Sequence, residues 1–156
     1  MDNHSQGIKK FTDVNLNKLA RVKEKFDEIV EGEDVEIDGK NYKTEILANR
    51  FYDFYIGVER IFKRIAQKID GEVPRGADWH KKLLKQMTED GFNREAVISE
   101  ELRKELMDFL VFRHFWVKSY VIELDRKEME PLIDKFDGGY EKTRRELLDF
   151  VGDMAK

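Results

Sequence analysis

Apolar residues recur along the chain at steps of three and four, the spacing of helices that bury one stripe. Leu19, Val22, Phe26 and Ile29 mark a first helix. Leu47, Phe51, Phe54, Val58, Ile61, Ile65 and Ile69 mark a second, longer one, whose far side carries Asn49, Arg60, Arg64 and Lys68. Between them, 31–44 holds Asp38-Gly39 flanked by Val35, Ile37 and Tyr42, which fits either a small hairpin or an ordered loop. Gly71, Pro74 and Gly76 make 70–78 a loop, and Asp78 stands where it can cap a short helix, WHKKLLKQM. After a second loop at 88–98, Ser99 with Glu100, Glu101 and Leu102 opens a helix expected to run to about Val121. A last helix begins near Asp125 and carries Met129, Ile133, Phe136, Tyr140, Leu147 and Phe150. Gly138-Gly139 is expected to bend or break it, because each interior glycine costs about 1 kcal/mol.

These elements predict an all-α fold: an up-and-down four-helix bundle with an additional short helix, forming a single domain over 1–156. Residues 1–10, with His4, are expected to be a disordered polar terminus.

Composition narrows the chemistry. Charged and hydrophobic residues each make up 40% of the 156 residues, which suits a folded helical protein rather than a disordered one. With no cysteine, disulfides, thiolate metal sites and thiol catalysis are excluded. No run approaches the roughly 20 apolar residues needed to span a bilayer, so no membrane association and a cytoplasmic location are expected. Three scattered histidines make no metal-ligand pattern, and neither a metal nor an organic cofactor is implied. The net charge of −4 means that any contact with RNA must come from a local patch or from a site shared between chains.

One stretch departs from the bundle pattern. In VFRHFWVKSY, 111–120, Arg113 falls on the stripe Leu102, Leu106, Phe109, Arg113, Trp116, Tyr120. A buried unpaired guanidinium costs several kcal/mol, so Arg113 needs a carboxylate partner, a wet cleft or an anion. Glu59 and Asp53 on the second helix are available partners. The flanks are apolar as well, with Val111, Phe112, Phe115, Val117 and Ile122, and a helix apolar nearly all round is either buried on every side or serves an interface. This predicts a homodimer with the helix near its two-fold axis.

The runs DFYIGVERIFKRIAQKIDGEVPRGADWHKKLLKQM and ISEELRKELMDFLVFRHFWVKSYVIELD resemble the HepT-like branch of the HEPN superfamily over roughly 45–126. The resemblance implies a dimeric helix bundle, metal-independent ribonuclease activity, and the toxin role in a toxin–antitoxin pair. It further implies a small nucleotidyltransferase as cognate antitoxin partner, and a tyrosine that such a partner can modify. The family motif is an arginine, then a histidine after four to six residues, then a tyrosine two positions on. Arg113 matches the arginine and Tyr120 the tyrosine, but Lys118 stands where the histidine belongs.

That departure bears on chemistry. In such a ribonuclease the histidine would act as general base or acid, and the arginine would stabilise charge on the phosphorane-like transition state. Imidazole titrates near 6.5 and suits both roles, whereas an ordinary lysine, near 10.4, can serve only as an acid or a phosphate clamp. His114 is either a direct participant or an interface residue. His80 is expected to pack under the preceding loop. The sequence therefore leaves three functions open: a ribonuclease weakened at 118, a non-catalytic dimer that binds the nucleotidyltransferase, or an unrelated bundle in which Arg113 is a structural ion pair.

Overall fold

The computed structural model describes residues 3–118 and 126–154. Helix α1 spans Asn3–Glu31, α2 Lys43–Ile65, α3 Trp79–Gln86, α4 Glu100–Lys118 and α5 Arg126–Met154. The only strands among the described residues, β1 Glu36–Ile37 and β2 Lys40–Asn41, pair antiparallel. The all-α bundle of four long helices and one short one is the predicted fold.

Helix α2 is the axis of the bundle and packs against α1, α3, α4 and α5. Its predicted stripe is buried from Leu47 to Ile65, with Ile69 beyond its end half-buried, and Ala48, Tyr55 and Phe62 widen it beyond one face. Phe51 lies at the centre, with ring centroids 5.5 Å from Phe26, 5.6 Å from Phe109 and from Phe112, and 5.5 Å from Phe136. Four helices thus contribute rings to one cluster, mostly in the tilted and edge-to-face arrangements that aromatic quadrupoles favour. Gly57 lets α1 approach, since a Cβ there would stand 2.5 Å from Leu19 Cδ2.

The connections show how local chemistry fixes the helix ends. The 31–44 segment forms the hairpin alternative: Asp38 (φ 51°) and Gly39 (φ 79°) both take the left-handed conformation that a two-residue turn between paired strands requires. Buried Lys43 then reaches back to the end of α1, donating from Nζ to the carbonyls of Val30 (3.2 Å) and Gly32 (2.7 Å). Lys43→Ala leaves those carbonyls without this donor, and is expected to lower the unfolding free energy in urea by about 1–2 kcal/mol. Ser99 caps α4 by accepting from Leu102 N–H at 3.1 Å, and itself donates from Oγ to Glu146 of α5 at 3.0 Å. Asp78, expected as the cap of α3, makes no capping bond and pairs with Lys82 at 3.1 Å instead.

Two further expectations change. Within the stretch 1–10, expected as a disordered tail, 3–10 are helical: α1 begins at Asn3, Ile8 is buried, and His4 donates from Nε2 to the Lys68 carbonyl. The apolar content of that turn was too low to register as a stripe, yet one buried isoleucine and one tertiary bond hold it. Gly138-Gly139 neither bends α5 out of helix nor ends it. The bare Gly139 backbone faces the Phe109 ring, 3.6 Å from where a Cβ would sit, so packing at the α4–α5 crossing offsets the weak propensity. Finally, α2 does not stop cleanly but ends in a π-helical turn, Ala66–Asp70, closed by Gly71 at φ 74°. That turn presents Asp70 to the nearly buried Arg94 (Nε–Oδ1 and Nη2–Oδ2, both 2.7 Å), which pins the 88–98 loop to the end of the bundle.

Candidate functional site

The stripe on α4 leaves the core where Arg113 interrupts it. Leu102, Leu106 and Phe109 are fully buried, whereas Arg113 and Trp116 are only half-buried. Neither carboxylate offered by the sequence pairs with the guanidinium. Glu59 bonds to His80, and Asp53 lies beside Arg50 at 3.6 Å. Arg113 forms no salt bridge among the described residues, and its Nε is buried without a hydrogen-bond partner there. Its one described aromatic neighbour is Tyr52 on α2, with Cζ 5.9 Å from the ring centroid.

Beside it stands a histidine pair that α2, α3 and α4 assemble. His80 is the second residue of α3, and its buried ring donates from Nδ1 to Glu59 Oε2 on α2 at 2.7 Å. A carboxylate can only accept, so this contact puts the proton on Nδ1. The Trp79 ring lies against His80 at 3.7 Å. The imidazole of His114 meets His80 nearly perpendicular, with centroids 5.1 Å apart. Burial, then His80, then the cations Arg113, Lys118 and Lys81, hold the His114 imidazolium below its ordinary pKa. On folding, His114 therefore releases its proton more easily than in the unfolded chain. Its contribution to stability is lost as pH falls below about 6.5, where the unfolded chain binds more protons.

Tyr55, one turn before Glu59, is pushed well above the usual phenol range by burial and by the Glu59 carboxylate, while Arg113 pulls the other way. Lys118 is exposed at the last described turn of α4, four residues from His114 on the same side of the helix. Tyr120 lies outside the described residues. Among those residues, no three His, Asp or Glu side chains come together as metal ligands, and no helix is long and apolar enough to cross a membrane.

His114 adjoins Arg113 in sequence with Lys118 one turn further along α4, and His80, held by Glu59, meets His114 from α3. His80 is a buried residue of the first turn, as expected, but its carboxylate partner could not be read from spacing, because the two lie 21 residues apart on different helices. Also on α4, Val111 (55% exposed), Phe115 (46%) and Val117 (55%) remain open to solvent. Val111 and Phe115 also line a shallow groove of about 370 Å³ with Phe112, Met129 and Leu132.

The bundle thus sets Arg113, without a salt bridge among the described residues, next in sequence to the His114 ring that meets His80. The model of the family described as HepT-like protein matches residues 46–154, and the chain belongs to that family, the HepT-like branch of the HEPN superfamily. At family level its function is HEPN-type and toxin-like. No curated protein and no solved structure matches the chain.

Proposed function

We propose that the protein is a cytoplasmic, toxin-type endoribonuclease that acts as a homodimer and cleaves RNA without a metal ion. The observation that carries this reading is Arg113 itself, half-buried on a core stripe with no carboxylate partner among the described residues and with His114 next to it. Arg113 receives a non-bridging oxygen of the scissile phosphate and stabilises the charge that builds on it. His114, kept neutral by its surroundings, takes the proton of the ribose 2′-hydroxyl. The 2′-oxygen attacks phosphorus, the bond to the 5′-oxygen breaks, and the Lys118 ammonium supplies the proton that the leaving 5′-oxygen needs. The products are a 2′,3′-cyclic phosphate and a 5′-hydroxyl. Proton transfer of this kind contributes about 10²–10⁴-fold when the group is well matched.

The exposed apolar face of Val111 and Phe115 is the surface on which a second copy docks, bringing two Arg113 sites towards a common cleft. The cognate partner is a small nucleotidyltransferase acting as antitoxin, and Tyr120 is the hydroxyl it would modify.

The lysine at the motif's histidine position supports a second reading, a HEPN dimer that binds its nucleotidyltransferase and RNA but does not cut. Structured RNA incubated in EDTA with the parent and with Lys118→His separates the two. The ribonuclease reading expects slow cleavage by the parent and about 100-fold faster cleavage by Lys118→His. A silent parent that Lys118→His revives supports the binding module, and silence from both contradicts a ribonuclease site.

A further inference from the structure

Glu59 and His80 take no part in the proposed chemistry, yet they form a deeply enclosed hydrogen-bonded pair beside the site, with side chains 9% and 11% exposed. A histidine and a carboxylate that only filled the core would leave about as good a bundle if both were apolar, and without the cost of desolvating them. Their geometry is directional instead. Glu59 fixes the His80 ring from behind through Nδ1, Trp79 covers it from one side, and the remaining approach is taken by the ring of His114. Exposure increases outward along the series: Glu59 and His80 are buried, and His114 is half-buried.

We propose that the Glu59–His80 pair is the positioning element of this site, and that through it His114 becomes the working base where the motif histidine is absent. His80 acts by contact. Its ring, locked in the Nδ1–H form, holds the plane of His114 and denies water to its inner face, so that the lone pair of His114 is available to the 2′-hydroxyl beside Arg113. The charged and titratable groups that act on His114 are His80 and Lys81 from α3 and Arg113 and Lys118 from α4, with Glu59 of α2 behind His80. Only His80 both touches its ring and is itself fixed by a buried carboxylate. This assignment rests on the ribonuclease reading for its consequence in catalysis, but its structural core is independent of that reading.

With three histidines in the chain, imidazole ¹⁵N and ¹H resonances can be followed one by one. In the parent, the His80 Nδ1 proton is expected to show its bond to Glu59, and His114 to titrate below about 6.5. In His80→Gln, where burial and the neighbouring ring are both reduced, the His114 midpoint rises towards 6.5. The acid limb of the cleavage profile moves up with it, while kcat falls about tenfold or more and KM stays within about twofold. Glu59→Gln keeps an acceptor for Nδ1–H and the side-chain volume; it is expected to preserve the fold and the perpendicular ring contact, detected as the nuclear Overhauser effect between the two rings.

An Nε2–H form of His80 in the parent, or a His114 midpoint unmoved in folded His80→Gln, overturns the positioning role. Should His80→Gln not fold, the parent tautomer and the Glu59→Gln ring contact still decide it, and loss of that contact counts against it. A parent that shows the expected titration coupling but never cuts RNA sinks the ribonuclease reading and leaves the positioning geometry standing.

Discussion

Arg113→Ala is expected to lower kcat/KM for RNA by about 100- to 1000-fold, the loss seen when one donor to a developing oxyanion is removed. The same substitution is expected to leave stability within about 1 kcal/mol of the parent, because it breaks no salt bridge among the described residues and removes an Nε that is buried there without a partner. This combination separates a functional arginine from a structural one. Truncating one side of a buried ion pair would instead cost about 3–5 kcal/mol. Parallel urea titrations and single-turnover cleavage assays give both numbers. Arg113→Lys should recover only part of the rate, since an ammonium cannot offer the paired, planar donors of a guanidinium.

Phe51→Ala is the largest expected effect on stability. The side chain is fully buried and its ring is shared by Phe26, Phe109, Phe112 and Phe136, so four helices lose packing at once. A loss of about 3–5 kcal/mol follows from the transferred area and the cavity left behind, enough to unfold a domain of ordinary stability near physiological temperature. Loss of the cooperative denaturant transition, or a midpoint shifted by the corresponding amount at unchanged slope, would be the observation. A shift under 1 kcal/mol would show that the cluster is not the centre of the core.

The hydrophobic spacing made most of this fold legible. Helix α2 could be read because its apolar residues keep strict steps of three and four over many turns, and burial follows that stripe from Leu47 to Ile65. The start of α1 could not, because Ile8 alone carries its apolar signal and the His4 bond to Lys68 is tertiary. Gly138-Gly139 misled for a related reason: propensity is a local quantity, and the contact of Gly139 with Phe109 is not.

The site was legible in the same uneven way. Arg113 announces itself as a charge on a core stripe, and His114 and Lys118 are its neighbours on one helix. The expectation that Glu59 or Asp53 neutralises Arg113 came from availability alone. Glu59 had a competing partner in His80, which spacing cannot rank, because the two lie on different helices with a loop between them. The exposed strip on α4 was foreshadowed by its all-round apolar sequence, which could equally have meant complete burial; Val111 and Val117, each 55% exposed, show that these positions of the strip remain open in the single chain.

The end groups left on RNA test the central proposal most directly. Parent protein and Arg113→Ala are incubated with end-labelled RNA in EDTA, and the new termini are identified chemically. The proposed mechanism predicts 2′,3′-cyclic phosphate and 5′-hydroxyl ends from the parent, and almost none from Arg113→Ala. Ends of the opposite kind, 3′-hydroxyl and 5′-phosphate, or equal cutting by both proteins, would contradict it.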